Sequence, residues 1–410
     1  MKIDKKFLFI FISSLFMQPA LANFSNFEEV QILAGKGNVE AQTTLAMMYH
    51  IGHGVSRNYA KAFELYSKAA DRGNVDAQYG LALMYDDGQG VSQNYAKAFE
   101  LYSKAAEQGN SEAQYKLALM YDNGKGVSQN NTKAFELYSK AANQGNIGAQ
   151  FHLGVMYANG IGVTQNYTKA FEWYSKAAVQ GDESAQFTIG NLYRRGEGVA
   201  QSYAKAFEWY SKAAVQGDKQ AQYNLALMYV DGQGTTQSDT KAFEWFSKAA
   251  VQGLPLAQYN LGLMYERGQG VEQSYSKALE WYSKAADQEE ASAQYNLGLM
   301  YADGQGVEQN YSKAFEYYNK AAVQGHSDAQ NNLGILYATG KGTIQNSALA
   351  NEWFLKAANN GNAMAQFNIG QSYLNDGTGV PKNRVKALEW LKKAADNGHA
   401  QAKLMLAAMQ

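Results

Sequence analysis

An all-helical solenoid follows from three observations on this sequence. The dipeptide Ala-Gln returns every 36 residues, ten times, from Ala41-Gln42 to Ala365-Gln366. Within each period the apolar residues recur twice with helical spacing, and nothing alternates as a strand would. A glycine followed by a capping residue closes most periods. A fixed period in this range defines a repeat array, in which each unit packs mainly on its neighbours and the surface of the stack carries function. About ten helix pairs account for the chain.

The segment from Asp182 to Gly217 shows how one unit is built. Ala185, Ile189, Leu192 and Tyr193 make one apolar helix face, and Ala206, Trp209, Tyr210, Ala213 and Ala214 make a second. Asn38, Asn74, Asn110, Asn146, Asp182, Asp218 and Asn362 each follow a glycine, which predicts a left-handed stop and then a side-chain N-cap. Leu254-Pro255 replaces this start once, with proline in the first turn, where a missing N–H does no harm. Glu289 stands where the other units have glycine, so a local departure is expected at Gln288–Glu290.

Small residues recur inside the first helices, as Ala46, Ala82, Ala118, Gly154, Gly190, Ala226, Gly262, Gly298, Gly334 and Gly370. Glycine in a helix interior costs about 1 kcal/mol against alanine, so its recurrence predicts close backbone approach between helices. Trp173, Trp209, Trp245, Trp281, Trp353 and Trp390 share one position of the second helix, which reads as an inter-repeat packing slot. A lone second-type helix near Phe27 to Gly35 and a lone first-type helix from Ala400 to Met409 serve as half-repeat caps. The last connection carries one extra residue between Tyr373 and Gly377.

The N-terminus, MKIDKKFLFIFISSLFMQPALANF, has a short basic region, an apolar stretch from Phe7 to Met17 and small residues at Ala20 and Ala22. This is the form of a Sec-type signal peptide cleaved after Ala22. The apolar stretch is shorter than the roughly 20 residues needed to span a bilayer. The expected organisation is residues 1–22 signal peptide and residues 23–410 solenoid, with the mature protein periplasmic or secreted and not stably inserted in a membrane. The net charge of −1 for the whole chain offers no electrostatic reason to expect nucleic acid or an anionic membrane surface. The absence of cysteine excludes disulfides, thiolate catalysis and cysteine-ligated zinc.

The segments Ala257–Val271, Lys277–Ala286 and Ala293–Val307 carry Ala-x-x-x-Leu-Gly-x-x-Tyr-x-x-Gly-x-Gly-Val and Lys-Ala-x-x-Trp-Tyr-x-Lys-Ala-Ala. These patterns resemble the Sel1-like repeat, a relative of the tetratricopeptide repeat, and they recur from Asn38 to Gly398. The period of 36 and the longer loop between the helices favour the Sel1-like form over the 34-residue tetratricopeptide unit. The resemblance implies a right-handed α-solenoid with the first helices on the concave side. It also implies adaptor or binding roles, commonly in bacterial envelope function, secretion or host contact. Some relatives have been linked to β-lactam binding and are rich in disulfides, which this chain lacks.

Local motifs yield little chemistry. The recurring Gly-x-Gly follows a helix, whereas a phosphate cradle needs a preceding strand. His50 and His53 are near neighbours at what reads as an exposed helix end, with no third ligand spaced to join them. No catalytic residue, cofactor or metal is expected.

The binding surface is more informative. The residue after each Ala-Gln points to the groove if the first helices face inward. The set includes Tyr115, Phe151, Phe187, Tyr223, Tyr259 and Tyr295, an aromatic lane suited to peptides or sugars. A second placement, with the rings packed on the adjacent unit, fits the same pattern. Asn191, Arg194 and Arg195 break the repeat pattern in the fifth first helix, and Arg267 lies two units on. Arginine forks suit a carboxylate-bearing partner.

The sequence therefore predicts an exported, non-enzymatic scaffold or adaptor that binds a protein or peptide in its groove. A carbohydrate or peptidoglycan binder using the aromatic lane is the alternative. A β-lactam or cell-wall hydrolase is a third reading, resting on kinship alone.

Overall fold

The computed structural model describes residues 27–375 and 378–409. The signal-peptide expectation for residues 1–22 lies outside the described residues. All the regular elements described are α-helices, numbered here α1 (Phe27–Gly35) to α22 (Ala400–Met409). The chain divides into two units after Ser202. The first holds α1 to α10 (Glu183–Arg195), and the second runs from α11 (Tyr203–Gln216) to α22. Within each unit a first helix packs on the second helix of its own repeat and on the second helix of the repeat before it.

The predicted caps are present. Asn38, Asn74, Asn110, Asn146, Asp182, Asp218 and Asn362 each accept the N–H three residues on. The glycine before each has positive φ. Leu254 starts α14 (Pro255–Arg267) with no side-chain cap bond and proline in the first turn. A second set of caps, including Asn58, Asn94, Asn130, Asn166 and Asn310, opens the second helices. The half-repeats α1 and α22 stand where the sequence places them. At the last connection α20 (Ala363–Leu374) stops at Leu374, and Asn375 is extended.

Three features differ from expectation. The departure at Glu289 is small: the backbone keeps the course that glycine takes elsewhere, with φ of 64°, and α15 (Tyr275–Ala286) closes at Ala286. The interior glycines meet a ring more often than a backbone. A Cβ on Gly154 would lie 2.7 Å from the Tyr174 ring, and one on Gly262 would lie 2.6 Å from the Tyr282 ring. His50 is not exposed: it is buried, with Nε2 2.6 Å from Gln89 Oε1 and its ring against Tyr59 and Tyr66.

The tryptophans do pack between repeats. Trp173 closes a cluster that holds Tyr138 and Leu153 of the preceding helices. The ammonium of Lys176 lies 3.6 Å from the centroid of its ring.

The Ala-Gln period has a structural cause that the sequence alone does not show. The alanine is fully buried in every repeat, and the glutamine is 3–8% exposed. Gln258 donates to Ala250 O of the preceding second helix (3.1 Å) and accepts from Gln288 Nε2 of its own repeat (2.8 Å). Gln114, Gln150 and Gln294 do the same. One buried amide thus ties three helices, in surroundings where an unpaired one would cost about 1–3 kcal/mol.

Candidate partner-binding face

The ring after each Ala-Gln is held from below. Tyr115 lies tilted on Tyr138 at 5.9 Å, Phe151 on Tyr174 at 5.5 Å, Tyr223 on Phe246 at 5.7 Å, Tyr259 on Tyr282 at 5.8 Å and Tyr295 on Tyr318 at 5.9 Å. The lower ring in each case belongs to the second helix of the same repeat. The next repeat presses from the side: His326 stacks on Tyr295 at 4.6 Å, and His399 on Phe367 at 4.3 Å.

The rings are packed on their neighbours to different degrees. Tyr79 and Phe367 are buried, whereas Tyr115, Phe151, Phe187, Tyr223, Tyr259 and Tyr295 are half-buried. Burial raises the phenol of Tyr115 to about 12 and moves those of Tyr223, Tyr259 and Tyr295 upward. All four hydroxyls stay protonated at neutral pH.

One turn after each ring, most repeats place an aliphatic side chain on the same face. Leu119, Val155, Leu227, Leu263 and Leu299 are half-buried there. In α10 that place is taken by Asn191, also half-buried. Arg194 and Arg195 follow at the end of the helix and are exposed. Arg195 Nη1 lies 3.7 Å from Glu197 Oε1, a surface pair of small energetic weight. The structure thus gathers Phe187, Asn191, Arg194 and Arg195 on one helix. Arg267, at the end of α14 in the second unit, is exposed and close enough to Tyr259 to influence it, as is its neighbour Glu266.

His152 is a further residue of this face that the sequence reading passed over. It stands next to Phe151 and stacks parallel to Tyr138 at 5.1 Å, with Tyr115 at 5.8 Å. Burial moves its pKa below the ordinary value, against a pull upward from Asp122. The available signal was that no other repeat has histidine in that place.

Among the described residues no three His, Asp or Glu side chains converge as metal ligands. No described helix is long and apolar enough to cross a membrane.

Stacked helix pairs of 36 residues, clamped by a buried glutamine, define a helix-repeat protein of the α-solenoid class. Ten consecutive segments match the Sel1 repeat family model: 39–74, 75–110, 111–146, 147–182, 183–218, 219–254, 255–289, 291–326, 327–362 and 363–399. The chain belongs to the Sel1 repeat family. The one residue skipped between segments, at 290, adjoins the strained Glu289.

The chain is similar to the crystal structure of c5321, a protective antigen of uropathogenic Escherichia coli strains with an SLR fold. The identity is 38% and the TM-score 0.89, over 94% of this chain and 82% of that one. It is also similar to a Sel1 repeat protein from Oxalobacter formigenes, at 35% identity and a TM-score of 0.61, over 76% of this chain and 90% of that one. No curated protein matches the chain. Sel1 repeat solenoids are in general protein–protein interaction scaffolds.

Proposed function

We propose that this protein is an exported, non-catalytic scaffold that holds a polypeptide partner along its first helices. One observation carries the reading: half-buried aromatic rings recur in register, each seated on a ring of its own second helix. Rings fixed in this way lose little freedom when a partner lands on them, and they offer an apolar edge with a polar tip. The aliphatic residues one turn on widen the apolar strip. Arg194 and Arg195 add forked donors suited to a partner carboxylate. Export rests on the form of residues 1–22.

Photo-crosslinking in the native cell from positions 115 and 259 is expected to attach a polypeptide. Attachment of none from either position overturns the scaffold reading. Replacing Arg194→Ser together with Arg195→Ser should weaken capture by about tenfold or more, the scale of lost hydrogen bonds to charged groups. Unchanged capture removes those residues from the site.

Tyrosine edges also suit sugar rings. Co-sedimentation with purified cell wall that disappears in Tyr223→Ala with Tyr259→Ala, with no polypeptide captured, would transfer the assignment to a glycan.

A further inference from the structure

The two units differ at one place on this face. The second residue after each Ala-Gln is Thr44, Gly80, Lys116, His152 and Thr188 in the first unit, but Asn224, Asn260, Asn296, Asn332 and Asn368 in the second, and it follows an aromatic in all but the repeats of Thr44 and Asn332. Five consecutive repeats thus carry a primary amide in register, and all five side chains are half-buried rather than enclosed. The scaffold does not need them, because five other repeats fold to the same helix pair without one.

Their local bonds leave capacity to spare. Asn260 spends one N–H on Leu256 O of its own helix, at 2.7 Å, and its amide also lies beside the Tyr223 hydroxyl. Asn296 lies beside the Tyr282 hydroxyl, and Asn332 beside those of Tyr295 and Tyr318. Asn332 Oδ1 also accepts from Asn331 Nδ2 at 3.3 Å, and Asn368 donates one N–H to Asn331 Oδ1 at 3.0 Å. Each tyrosine belongs to the repeat before its asparagine, so the amides step along the unit from one first helix to the next. A primary amide has two donor hydrogens and an oxygen with two lone pairs, more than these contacts use.

The geometry points to a peptide main chain as what this asparagine ladder reads: an extended, basic segment lying along the first helices of the second unit. A peptide group offers one N–H and one C=O, the complement of a side-chain amide. A segment lying along successive first helices of the unit meets these asparagines in turn, one per repeat.

Carboxylates stand along the same helices. Glu266 accepts from the Tyr282 hydroxyl and Asp328 Oδ1 from Asn362 Nδ2 at 2.7 Å; with Glu290 and Asp303 they surround Tyr259 and Tyr295, where Arg267 is the base beside them. Lysine or arginine side chains of the segment would lie over tyrosine rings among carboxylates, a favourable setting for a cation.

This inference rests on the scaffold reading above and narrows it to one unit and one ligand chemistry. The test uses the full mature chain and a fluorescein-labelled twelve-residue peptide, Lys-Ser-Thr repeated four times, followed by anisotropy. Saturable binding is expected. It should weaken at least tenfold when the backbone nitrogens of the peptide are methylated, when glutamate replaces lysine, and in Asn296→Leu with Asn332→Leu. Thr188→Ala should bind as the parent does.

Should the leucine variant melt early, Asn296→Ser with Asn332→Ser carries the same expectation. Equal binding of the methylated peptide, or no binding of the parent peptide, overturns the inference. Should the asparagine variants still capture the native partner by crosslinking, the ladder fails while the scaffold reading stands. Failure of the parent protein to capture any polypeptide overturns both.

Discussion

Arg72 stands where later repeats have glutamine or asparagine, and the consequence is local and measurable. In the second unit Gln252 donates both to Gly217 O at 2.9 Å and to Gln222 Oε1 at 2.9 Å. Arg72 bonds the corresponding carbonyl, that of Gly37, but Gln42 Oε1 is buried and finds no partner among the described residues. Arg72→Gln should supply the missing donor and keep the carbonyl bond, stabilising the protein by about 1 kcal/mol. Thermal melts that show no gain would refute it.

His152 gives a second test at this scale. Its folded pKa is depressed, chiefly by burial, so the unfolded chain binds the proton first as pH falls. Stability from the neutral ring is present above pH 6.5 and is lost as pH drops through that value towards the folded pKa. His152→Asn, matching other repeats, should gain on the parent protein in melting temperature between pH 7.5 and pH 5. A pH-independent gap would refute the assignment. His152 was hard to read beforehand because stacking on Tyr138 and Tyr115 depends on helix packing, not on sequence spacing.

At the scale of the element, helix ends were the most legible part of the chain. Cap chemistry acts within a few residues, so Asn38 or Asp182 after glycine could be read locally. The second-helix caps escaped notice because Asn58 and its counterparts follow a loop without a glycine immediately before them. The Gly-x-Gly loop was read only by the helix that precedes it, and its part in packing was not visible from the motif. Gly126 has φ of 71°, and an added Cβ there would lie 2.7 Å from Tyr95 O of the preceding repeat. That glycine serves both conformation and contact.

Glu289 offers the converse case, an exposed residue that must adopt φ of 64° without glycine's freedom. A left-handed residue other than glycine is strained by roughly 1–2 kcal/mol. Glu289→Gly should therefore stabilise the protein by about 1 kcal/mol in urea unfolding, and Glu289→Ala should not. Equal effects from the two would mean that charge, not backbone, sets the difference.

At the scale of the whole molecule, the class of fold was readable because ten copies average out local ambiguity. The candidate site was less so. Exposure of the rings depends on how far the second-helix aromatics lift them, and on whether the next cap leans over them, as His326 does on Tyr295. Neither is written in a single repeat. Arg194 and Arg195 were visible as breaks in the pattern, and the structure adds that Arg195 has an acidic neighbour in Glu197.

The run of asparagines at 224, 260, 296, 332 and 368 is plain in the sequence, but its restriction to one unit became evident only when Ser202 marked the division. The glutamine clamp has a last consequence, for how such a chain changes over generations. Its partners lie 8 residues before it and 30 residues after it, and the same spacing recurs at a period of 36. Removing or duplicating one whole period joins like to like and restores every clamp. Copy number is then a variable that recombination alters without a folding penalty at the seam, and the reach of the scaffold can be matched to its partner by unequal crossing-over before any side chain is refined.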